Sequence, residues 1–327
     1  MRNKIRQMLK DKAGQYVSGE EISRRLDVSR TAVWKHIQAL KEEGYDIEGH
    51  SRRGYRLRGA PDLLLPEELC PHLTTTRLGR CISYLTLTDS TNNEAKKLAA
   101  AGCPEGQIVV AEEQASGRGR LARGWFSPFG KGIWFSIVLR PPFSPQEAPK
   151  CTLLAAVAVS RAIRQATGVA CGIKWPNDIL VGGRKLVGIL TEMSAEMDAI
   201  NYIVIGIGIN VNVDADDLPP ELQEIAGSLT MATGRSFSRI ELLAAVLSEL
   251  ERVYDQAVKG GFASLLDEWR QESLTLGQAV DVVGSGQQFS GVAEDIDSDG
   301  ALLVRTAAGL QRVLAGDVSI RPHKRKE

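Results

Sequence analysis

Two short amphipathic helices joined by a tight turn are encoded between residues 18 and 44, and this pattern constrains the fold of the N-terminal region most strongly. In SGEEISRRLDVSRTAVWKHIQALKEEG, Ser18 and Glu21 have the spacing of a capping box, and Ser29 is placed as the N-cap of the second helix. The apolar residues recur at helical spacing: Ile22, Leu26, Val33, Ile37 and Leu40. The segment therefore predicts two packed helices with a turn at Asp27-Val28-Ser29.

A β-hairpin is predicted directly after the second helix. YDIEGHSRRGYRL (45–57) alternates apolar and polar residues and turns at 51–54, with Arg52 and Arg53 at the tip. The whole segment resembles a winged helix-turn-helix, whose second helix meets base edges and phosphates with its N-terminal half. The residues predicted to be exposed there are Ser29, Arg30, Thr31, Trp34, Lys35 and His36.

Charge is unevenly distributed along the chain. Residues 1–58 carry 14 Lys and Arg against 8 Asp and Glu, and the rest carries 26 against 32, so the chain total of 40 against 40 balances. The basic end predicts a polyanionic partner, and we interpret it as DNA bound by a dimer on paired half-sites. The alternative is that its arginines are solvated surface charges. The predicted DNA-binding residues are Ser29, Arg30, Thr31, Trp34, Lys35, Arg52 and Arg53.

Composition narrows the class of protein further. Hydrophobic residues make up 43% and charged residues 24% of the 327 positions, as in ordinary globular proteins. No signal-type segment and no run of roughly 18 apolar residues is present, so we expect a cytoplasmic protein with no membrane association. Five scattered cysteines predict neither a disulfide framework nor a zinc site.

Three domains are predicted, with boundaries at 1–60, 61–272 and 273–327. The proline-punctuated segment RGAPDLLLP separates the first two, and only short strands follow residue 276. In the middle region the predicted strands are 82–88, 107–114, 132–141 and 202–213, and the predicted helices are 151–168, 239–258 and 261–272. Thr91 and Glu94 predict a capping box, and Gly182-Gly183 predicts a hairpin turn.

GRGRLARGW (117–125) lies between two predicted strands and is both basic and glycine-rich. A phosphate-binding P-loop would require Gly-Lys-Ser/Thr leading into a helix, and that pattern is missing here. Arginines on a mobile segment can close over an anion and exclude water, which favours an enzyme with a reactive phosphorylated intermediate. The alternative for this segment alone is a solvated surface loop.

Two further motifs contribute charged residues. KWPNDIL (174–180) contains Lys174 and Asp178 around a Trp-Pro turn, and GRKLVGIL (183–190) adds Lys185 at the start of a strand. Lysines there can neutralise charge that develops during nucleotidyl transfer, and a neighbouring carboxylate can bind Mg²⁺. Asp178 could instead only cap the turn.

These motifs together resemble the biotin-protein ligase family. DSTNNEA (89–95), GRGRLARGW, FSPFGKGIWFS, KWPNDIL, GRKLVGILTE and GIGINVN occur in the family's order. With the winged helix-turn-helix in front, the chain resembles the bifunctional form that is also the biotin operon repressor. The resemblance implies an α+β fold: an N-terminal winged helix-turn-helix, a central mixed-sheet catalytic domain and a C-terminal SH3-like β-barrel.

The resemblance also implies a reaction and its residues. Biotin and MgATP would give biotinyl-5′-AMP, which acylates a lysine of the biotin carboxyl carrier protein of acetyl-CoA carboxylase or a related carboxylase. The implied biotin-binding residues are Ser90, Thr91, Asn92, Gln114, Arg118, Gly119, Arg120 and Lys185. The implied nucleotide-binding residues are Arg120, Lys174 and Asn210. The implied catalytic residues are Arg118, Arg120, Lys174, Asp178 and Lys185. Asp178 is the implied metal ligand.

Regulation follows from the same resemblance. The bound adenylate would act as corepressor by ordering the loop in a homodimer that binds a palindromic operator. Compared with the family, Ala122 replaces a common glycine, Gly124 replaces a common lysine, and 225–231 lacks a tryptophan found in some members. The other hypotheses are a monofunctional ligase with a non-binding N-terminal domain, a lipoate or octanoate ligase, and a non-catalytic sensor of an adenylated ligand.

Overall fold

The structure is a computed structural model that describes residues 1–284, 287–316 and 318–322. The chain divides into two compact units, Met1–Leu63 and Leu64–Glu327, and each unit has a hydrophobic core of its own. The predicted boundary near residue 272 falls inside the second unit, and the three-domain division stays a prediction.

The first unit consists of three helices and a two-stranded hairpin: α1 (Arg2–Asp11), α2 (Gly19–Leu26), α3 (Arg30–Glu42), β1 (Asp46–His50) and β2 (Gly54–Gly59). Ser18 Oγ accepts a hydrogen bond from the Glu21 amide at 3.0 Å, and Ser29 Oγ accepts one from the Ala32 amide at 3.1 Å. Both predicted N-caps are therefore confirmed, but of the predicted capping box only the Ser18 half is shown, because the Glu21 carboxylate accepts from Lys12 Nζ at 2.9 Å. At the hairpin, Gly54 has φ +98 and a Cβ there would lie 2.1 Å from the Val17 carbonyl oxygen, so glycine is required.

The second unit contains six helices among the residues described, and most of its strands belong to one large sheet. The helices are α4 (Pro66–Leu69), α5 (Thr91–Ala100), α6 (Lys150–Thr167), α7 (Leu229–Thr233), α8 (Arg239–Gly260) and α9 (Ala263–Glu272). The strands of the large sheet are β3 (Ile82–Thr88), β4 (Ile108–Gln114), β5 (Gly132–Leu139), β6 (Gly172–Lys174), β7 (Asp178–Val181), β8 (Arg184–Glu196) and β9 (Ala199–Asn210).

The large sheet is mixed, as predicted. Its strand order is β3-β4-β5-β9-β8-β7-β6, with β3 parallel to β4 and every other neighbouring pair antiparallel. The predicted hairpin turn at Gly182-Gly183 is confirmed, because both glycines have positive φ and connect β7 to β8. The sheet order places β5 beside β9, which brings residues far apart in the sequence into register.

Helices cover both faces of this sheet. Helices α6, α8 and α9 pack on one face, where alternate residues of β5 such as Phe135 and Ile137 are buried. Helix α5 packs on the other face against Val109, Val138 and Val204. Over the described part of the chain, we find no helix with the length and apolar character needed to span a membrane.

The C-terminal strands form a second, antiparallel sheet: β10 (Ala279–Gly284), β11 (Gln287–Ile296), β12 (Leu302–Thr306), β13 (Gly309–Val313) and β14 (Val318–Pro322). Their order is β13-β12-β11-β10-β14. This sheet contacts the large one through Trp175, whose indole Nε1 donates to the Gly300 carbonyl at 3.1 Å and whose amide donates to Thr275 Oγ1 at 2.9 Å. The C-terminal sheet thus supports the Trp-Pro turn between β6 and β7.

A buried ion pair joins the start of α8 to the sheet. Arg239 Nη1 lies 2.8 Å from Glu112 Oε2, and both side chains are fully buried. Glu112 Oε1 also accepts a hydrogen bond from the Leu64 amide at 2.7 Å. Buried charges are tolerated when they are paired and hydrogen-bonded in this way.

Candidate active site

One cavity of about 720 Å³ in the second unit is lined by every residue that the sequence predicts for catalysis or ligand binding. These residues are Ser90, Thr91, Asn92, Gln114, Arg118, Gly119, Arg120, Lys174, Asp178, Lys185 and Asn210. They come from the start of α5, the ends of β4 and β9, the 117–125 loop and the β6–β8 hairpins. The fold therefore brings all the predicted residues together, while their individual roles stay predictions.

The start of α5 forms a polar wall of the cavity. The Thr91 amide donates to Gln114 Oε1 at 2.9 Å, and the hydroxyls of Thr91 and Ser136 are hydrogen-bonded to each other at 2.8 Å. The predicted capping box at Thr91 and Glu94 is wrong: Ser90 is the N-cap without a side-chain bond, and Glu94 pairs with Lys97. The Thr91 hydroxyl is used instead to join α5 to β4 and β5.

Asn92 lines the cavity with its amide engaged in protein contacts. Its Nδ2 donates to Glu192 Oε2 at 2.9 Å and to the Leu190 carbonyl at 3.3 Å, and its Oδ1 accepts from Ser136 Oγ at 2.6 Å. A Cβ at Gly206 would lie 1.9 Å from that Oδ1, so the glycine in β9 makes room for Asn92. The glycine therefore allows the start of α5 to approach the backbone of β9 closely.

Ser136 is the shared partner of Thr91 and Asn92; it ends the motif FSPFGKGIWFS, but the sequence predicts no role for it. It is fully buried in β5, a strand that is otherwise almost entirely apolar. A lone hydroxyl in a buried strand needs a hydrogen-bond partner, and this was the signal that could have identified it.

The 117–125 loop is folded as a compact hairpin over the cavity. The Gly119 amide donates to the Arg123 carbonyl at 2.7 Å, and the Trp125 amide donates to the Gly117 carbonyl at 2.8 Å. Leu121 adopts a left-handed conformation with φ +55. The loop is thus ordered by its own backbone hydrogen bonds.

Trp125 anchors the end of this loop on two glycines of the sheet. A Cβ at Gly188 would lie 2.7 Å, and one at Gly208 2.4 Å, from atoms of the indole. These two glycines face each other across β8 and β9, and the ammonium of Lys185 lies 5.1 Å from the centre of the indole ring. The flat glycine surface therefore lets the tryptophan approach the sheet backbone closely.

Two of the three arginines of the loop, Arg118 and Arg120, have different partners. Arg118 Nη2 lies 3.6 Å from Glu192 Oε2, and it also donates to Asn93 Oδ1. Arg120 donates to Asn177 Oδ1 at 3.2 Å and to the carbonyls of Ala315 and Gly316 beside the C-terminal sheet. One arginine is thus held by α5 and β8, and the other joins the loop to the Trp-Pro turn and the C-terminal sheet.

The β6–β8 hairpins position the lysines and the aspartate. Lys174 and Asp178 are opposite each other in the backbone register of β6 and β7. The turn between them contains a cis peptide at Trp175-Pro176. Asp178 Oδ1 lies 2.7 Å from Lys185 Nζ. Asp178 is therefore more than a turn cap, since its carboxylate holds the lysine that points into the cavity.

A loop after β9 closes the far side of the cavity. Asn210 is buried, and its Nδ2 donates to the Gly227 carbonyl at 2.9 Å. The Lys185 amide donates to the Ile225 carbonyl at 2.7 Å, which joins this loop to the start of β8. The loop side chains that line the cavity are Leu218, Leu222, Glu224, Ile225 and Ala226. Aliphatic side chains thus occupy the region where a tryptophan was noted as missing from the sequence.

The predicted DNA-binding residues are all exposed on the first unit: Ser29, Arg30, Thr31, Trp34, Lys35, Arg52 and Arg53. Trp34 is 52% exposed, although its neighbour Val33 is fully buried. Arg30 is paired with Glu20 at 2.9 Å, and the Arg53 guanidinium lies 5.6 Å from the Tyr16 ring centre. His36, which was also predicted to be exposed, is half-buried.

Comparison with known proteins gives three family matches along the chain. An HTH domain matches residues 1–56, the biotin/lipoate A/B protein ligase family matches 84–210, and the biotin protein ligase C terminal domain matches 275–321. These matches, with the mixed sheet, confirm the predicted fold class.

Relatives and solved structures agree with these matches. The bifunctional ligase/repressor BirA of Bacillus spizizenii is 41% identical and covers 98% of each chain, and that of Escherichia coli K12 is 29% identical and covers 94% of each. The biotin protein ligase from Aquifex aeolicus in complex with biotin and ATP has a TM-score of 0.66 and 28% identity, covering 75% of this chain and all of that one. This chain belongs to the biotin protein ligase family, within its branch of bifunctional ligase/repressors.

Proposed function

We propose that the second unit activates biotin with ATP to biotinyl-5′-AMP and transfers the biotinyl group to a lysine of a biotin carboxyl carrier protein. The convergence of all the predicted catalytic and ligand residues on one cavity is the observation that carries this proposal. The Aquifex aeolicus biotin protein ligase is in complex with biotin and ATP, and the fold similarity extends those ligands to this chain as part of the proposal.

We assign the biotin end of the cavity to the start of α5. Ser90, Thr91 and Gln114 offer both hydrogen-bond donors and acceptors, which a ureido ring requires. Asn92 supports this wall through Ser136 and Glu192, so its role in biotin binding would be indirect.

We assign the reacting carboxyl group and the phosphates to the cationic side of the cavity. Lys185, Arg118 and Arg120 would neutralise the charge that develops as the biotin carboxylate attacks the α-phosphorus and pyrophosphate leaves. Lys174 would contact the phosphates, and Asn210 would lie on the adenine side, with Gly119 providing backbone close to the ligand. In the second step, the lysine amine of the carrier attacks the acyl carbon, and AMP leaves.

The 117–125 loop would protect the intermediate. An acyl-adenylate is a mixed anhydride that water cleaves, so its site must exclude water until the carrier lysine arrives. The hairpin fold of the loop and the anchoring of Trp125 on Gly188 and Gly208 support this role.

The residues present fit a magnesium ion that is held mainly by ATP. No group of three or more His, Cys, Asp or Glu side chains suited to a metal occurs within the described ranges. Mg²⁺ commonly uses one or two protein carboxylates together with substrate phosphates. We propose Asp178 as such a carboxylate, and a cation there would compete with Lys185, which lies 2.7 Å away. The metal would supply neutralisation of phosphate charge.

We propose that the first unit binds operator DNA and represses biotin genes in the cytoplasm when the adenylate is bound and the chain forms a homodimer. The helix-turn-helix match and the exposed residues of α3 and the hairpin support this part. Carrier protein that lacks biotin would discharge the adenylate and relieve repression. The segments 1–60, 61–272 and 273–327 would then be the DNA-binding, catalytic and SH3-like domains.

One experiment tests both parts. Labelled biotin, ATP and Mg²⁺ are incubated with the full chain and a carrier domain, and labelling of the carrier is measured, with lipoate and octanoate as competing acids. A gel shift on the gene's upstream DNA at fixed salt follows, with and without biotin plus ATP. Transfer of octanoate in preference to biotin would refute the assignment as a biotin ligase. Transfer of biotin without a DNA gel shift that depends on biotin and ATP would indicate a monofunctional ligase.

A further inference from the structure

Glu192 lies where α5, β8 and the 117–125 loop meet, and neither the motifs nor the proposed chemistry gives it a role. It is on β8, two residues after Leu190 of the cavity wall. Its carboxylate is the common partner in three contacts, two from α5 and one from the 117–125 loop.

The two oxygens of Glu192 have separate partners. Oε1 accepts from Lys96 Nζ of α5 at 2.7 Å. Oε2 accepts from Asn92 Nδ2 at 2.9 Å and lies 3.6 Å from Arg118 Nη2 of the loop. The same carboxylate therefore contacts the helix that begins at the biotin end of the cavity and an arginine of the loop that covers the cavity.

Glu192 is ionised in this environment. Burial opposes the charge, but the hydrogen bonds from Lys96 and Asn92 and the positive charges of Lys96 and Arg118 outweigh it, so the pKa of Glu192 lies below its ordinary value. The Arg118 contact is partly exposed, with 41% of the arginine side chain and 28% of the glutamate side chain accessible. A pair of this kind contributes modestly to stability and is weakened by salt.

Arg118 is held at a second point as well. Its Nη2 donates to Asn93 Oδ1 of α5, next to Asn92. The guanidinium is thus located between a fixed amide on the helix and a fixed carboxylate on the strand. Because Lys96 and Asn92 keep Glu192 in place, the carboxylate is a rigid point to which the loop can be fastened.

We propose that Glu192 is a positioning residue that fastens the 117–125 loop through Arg118 and so sets how long the acyl-adenylate is retained before it is released or hydrolysed. This rests on the proposed ligase function and extends it to a residue outside the reacting centre. Glu192 is not among the described residues that line the cavity, so its removal should affect retention of the intermediate more than its formation.

The experiment measures formation and retention of the adenylate separately. The wild type and Glu192→Gln are mixed with labelled biotin and MgATP, and adenylate formation is followed in a single turnover. The loaded proteins are then separated from free ligand, and loss of bound label is followed without carrier protein. Glu94→Gln is the matched control, because Glu94 is a carboxylate of α5 that pairs only locally with Lys97.

We expect Glu192→Gln to lose the adenylate roughly two- to five-fold faster than the wild type, in keeping with the loss of a partly exposed ion pair. The rate at which Glu192→Gln forms the adenylate should change less than the rate at which it loses the adenylate. Glu94→Gln should match the wild type in both rates. Added salt should accelerate loss from the wild type and leave Glu192→Gln almost unchanged.

The possible results distinguish failure of the ligase function from failure of the proposed role of Glu192. Formation of no adenylate by the wild type would refute the ligase function itself. Normal formation with equal loss rates in the wild type and Glu192→Gln would overturn the role of Glu192, as would slower formation with unchanged loss. If Glu192→Gln does not fold, Glu192→Asp and the salt series on the wild type test the proposal. A rate of adenylate loss that changes neither in Glu192→Asp nor with salt would overturn it.

Discussion

Asp178 Oδ1 lies 2.7 Å from Lys185 Nζ across the β7–β8 hairpin, so two residues from separate sequence motifs form one ion pair in the cavity wall. The ammonium also lies 5.1 Å from the centre of the Trp125 ring. Lys185 is therefore held between a carboxylate and the indole that anchors the loop. This arrangement fixes its position before any ligand binds, which is the condition for effective charge stabilisation.

Substitution of Asp178 tests this arrangement. We expect Lys185→Ala to reduce adenylate formation on the order of 10²–10³-fold, as for other groups that stabilise developing charge. Asp178→Asn should reduce it about tenfold or more, because the lysine loses its anchor. Pyrophosphate exchange dependent on biotin measures both, with Asp267→Asn, which breaks only an exposed pair with Arg270 on α9, as the control. Equal activity of Asp178→Asn and the wild type would refute the role of the pair.

Removal of the Ser136 hydroxyl should weaken biotin binding. Ser136→Ala leaves Thr91 Oγ1 and Asn92 Oδ1 without their shared hydrogen-bond partner, so the start of α5 loses its connection to β5. We expect the KM for biotin to rise about tenfold, with a smaller change in kcat and a loss of about 1–3 kcal/mol in the free energy of unfolding. Ser290→Ala, which breaks a hydrogen bond on the C-terminal sheet, is the control. An unchanged KM would contradict the prediction.

An acidic partner restrains a predicted DNA contact in the first unit. Arg30 is paired with Glu20 at 2.9 Å, and both side chains are more than 70% exposed. Glu20→Ala should free the guanidinium and remove a negative charge near the phosphates, so operator affinity should rise a few-fold and its salt dependence should become steeper. Gel shifts over a salt series measure this, with Glu42→Ala at the end of α3 as the comparison. A fall in affinity for Glu20→Ala would show that Arg30 is not a phosphate contact.

Glu251 should make the second unit sensitive to acid. Burial opposes its charge, but hydrogen bonds from the amides of Thr76, Arg77 and Leu78 outweigh it and hold the pKa of Glu251 below its ordinary value. A lowered pKa in the folded state stabilises the fold above the unfolded pKa, and this contribution is lost as the pH falls through the folded value. Glu251→Gln should therefore lose about 1 kcal/mol of unfolding free energy at pH 7. Urea unfolding should show this difference shrinking below about pH 4, and a difference independent of pH would contradict the assignment.

Local sequence signals predicted most of the secondary structure. The N-caps at Ser18 and Ser29, the helix end at Gly168 and the turn at Gly182-Gly183 are confirmed, because each depends on hydrogen bonds or φ angles within a few residues. The capping box at Thr91 was wrong for a tertiary reason: Gln114 and Ser136 bind the hydroxyl that the motif reserved for the helix.

The ordered motifs also identified the residues of the cavity, although their spacing along the chain is large. The motifs did not reveal which of their residues are supporting ones, because supporting residues are recognised by their partners and not by their own pattern. Ser136, Asn177 and Glu192 stand in FSPFGKGIWFS, KWPNDIL and GRKLVGILTE, but their contacts became visible only when β5, β8 and the β6–β7 turn were placed beside α5 and the loop.

The sequence by itself determined the helices and hairpin of the first unit, the strands of the second, and the set of side chains available for chemistry, because backbone capping, turns and hydrophobic periodicity act over short distances. Only the tertiary structure decided which of those side chains touch. The sheet order β3-β4-β5-β9-β8-β7-β6 joins strands that are not consecutive, so contacts such as Asn92 with Glu192 and Arg120 with the Gly316 carbonyl connect residues 100 and 196 positions apart. Such contacts depend on the packing of the whole unit, and no local pattern encodes them.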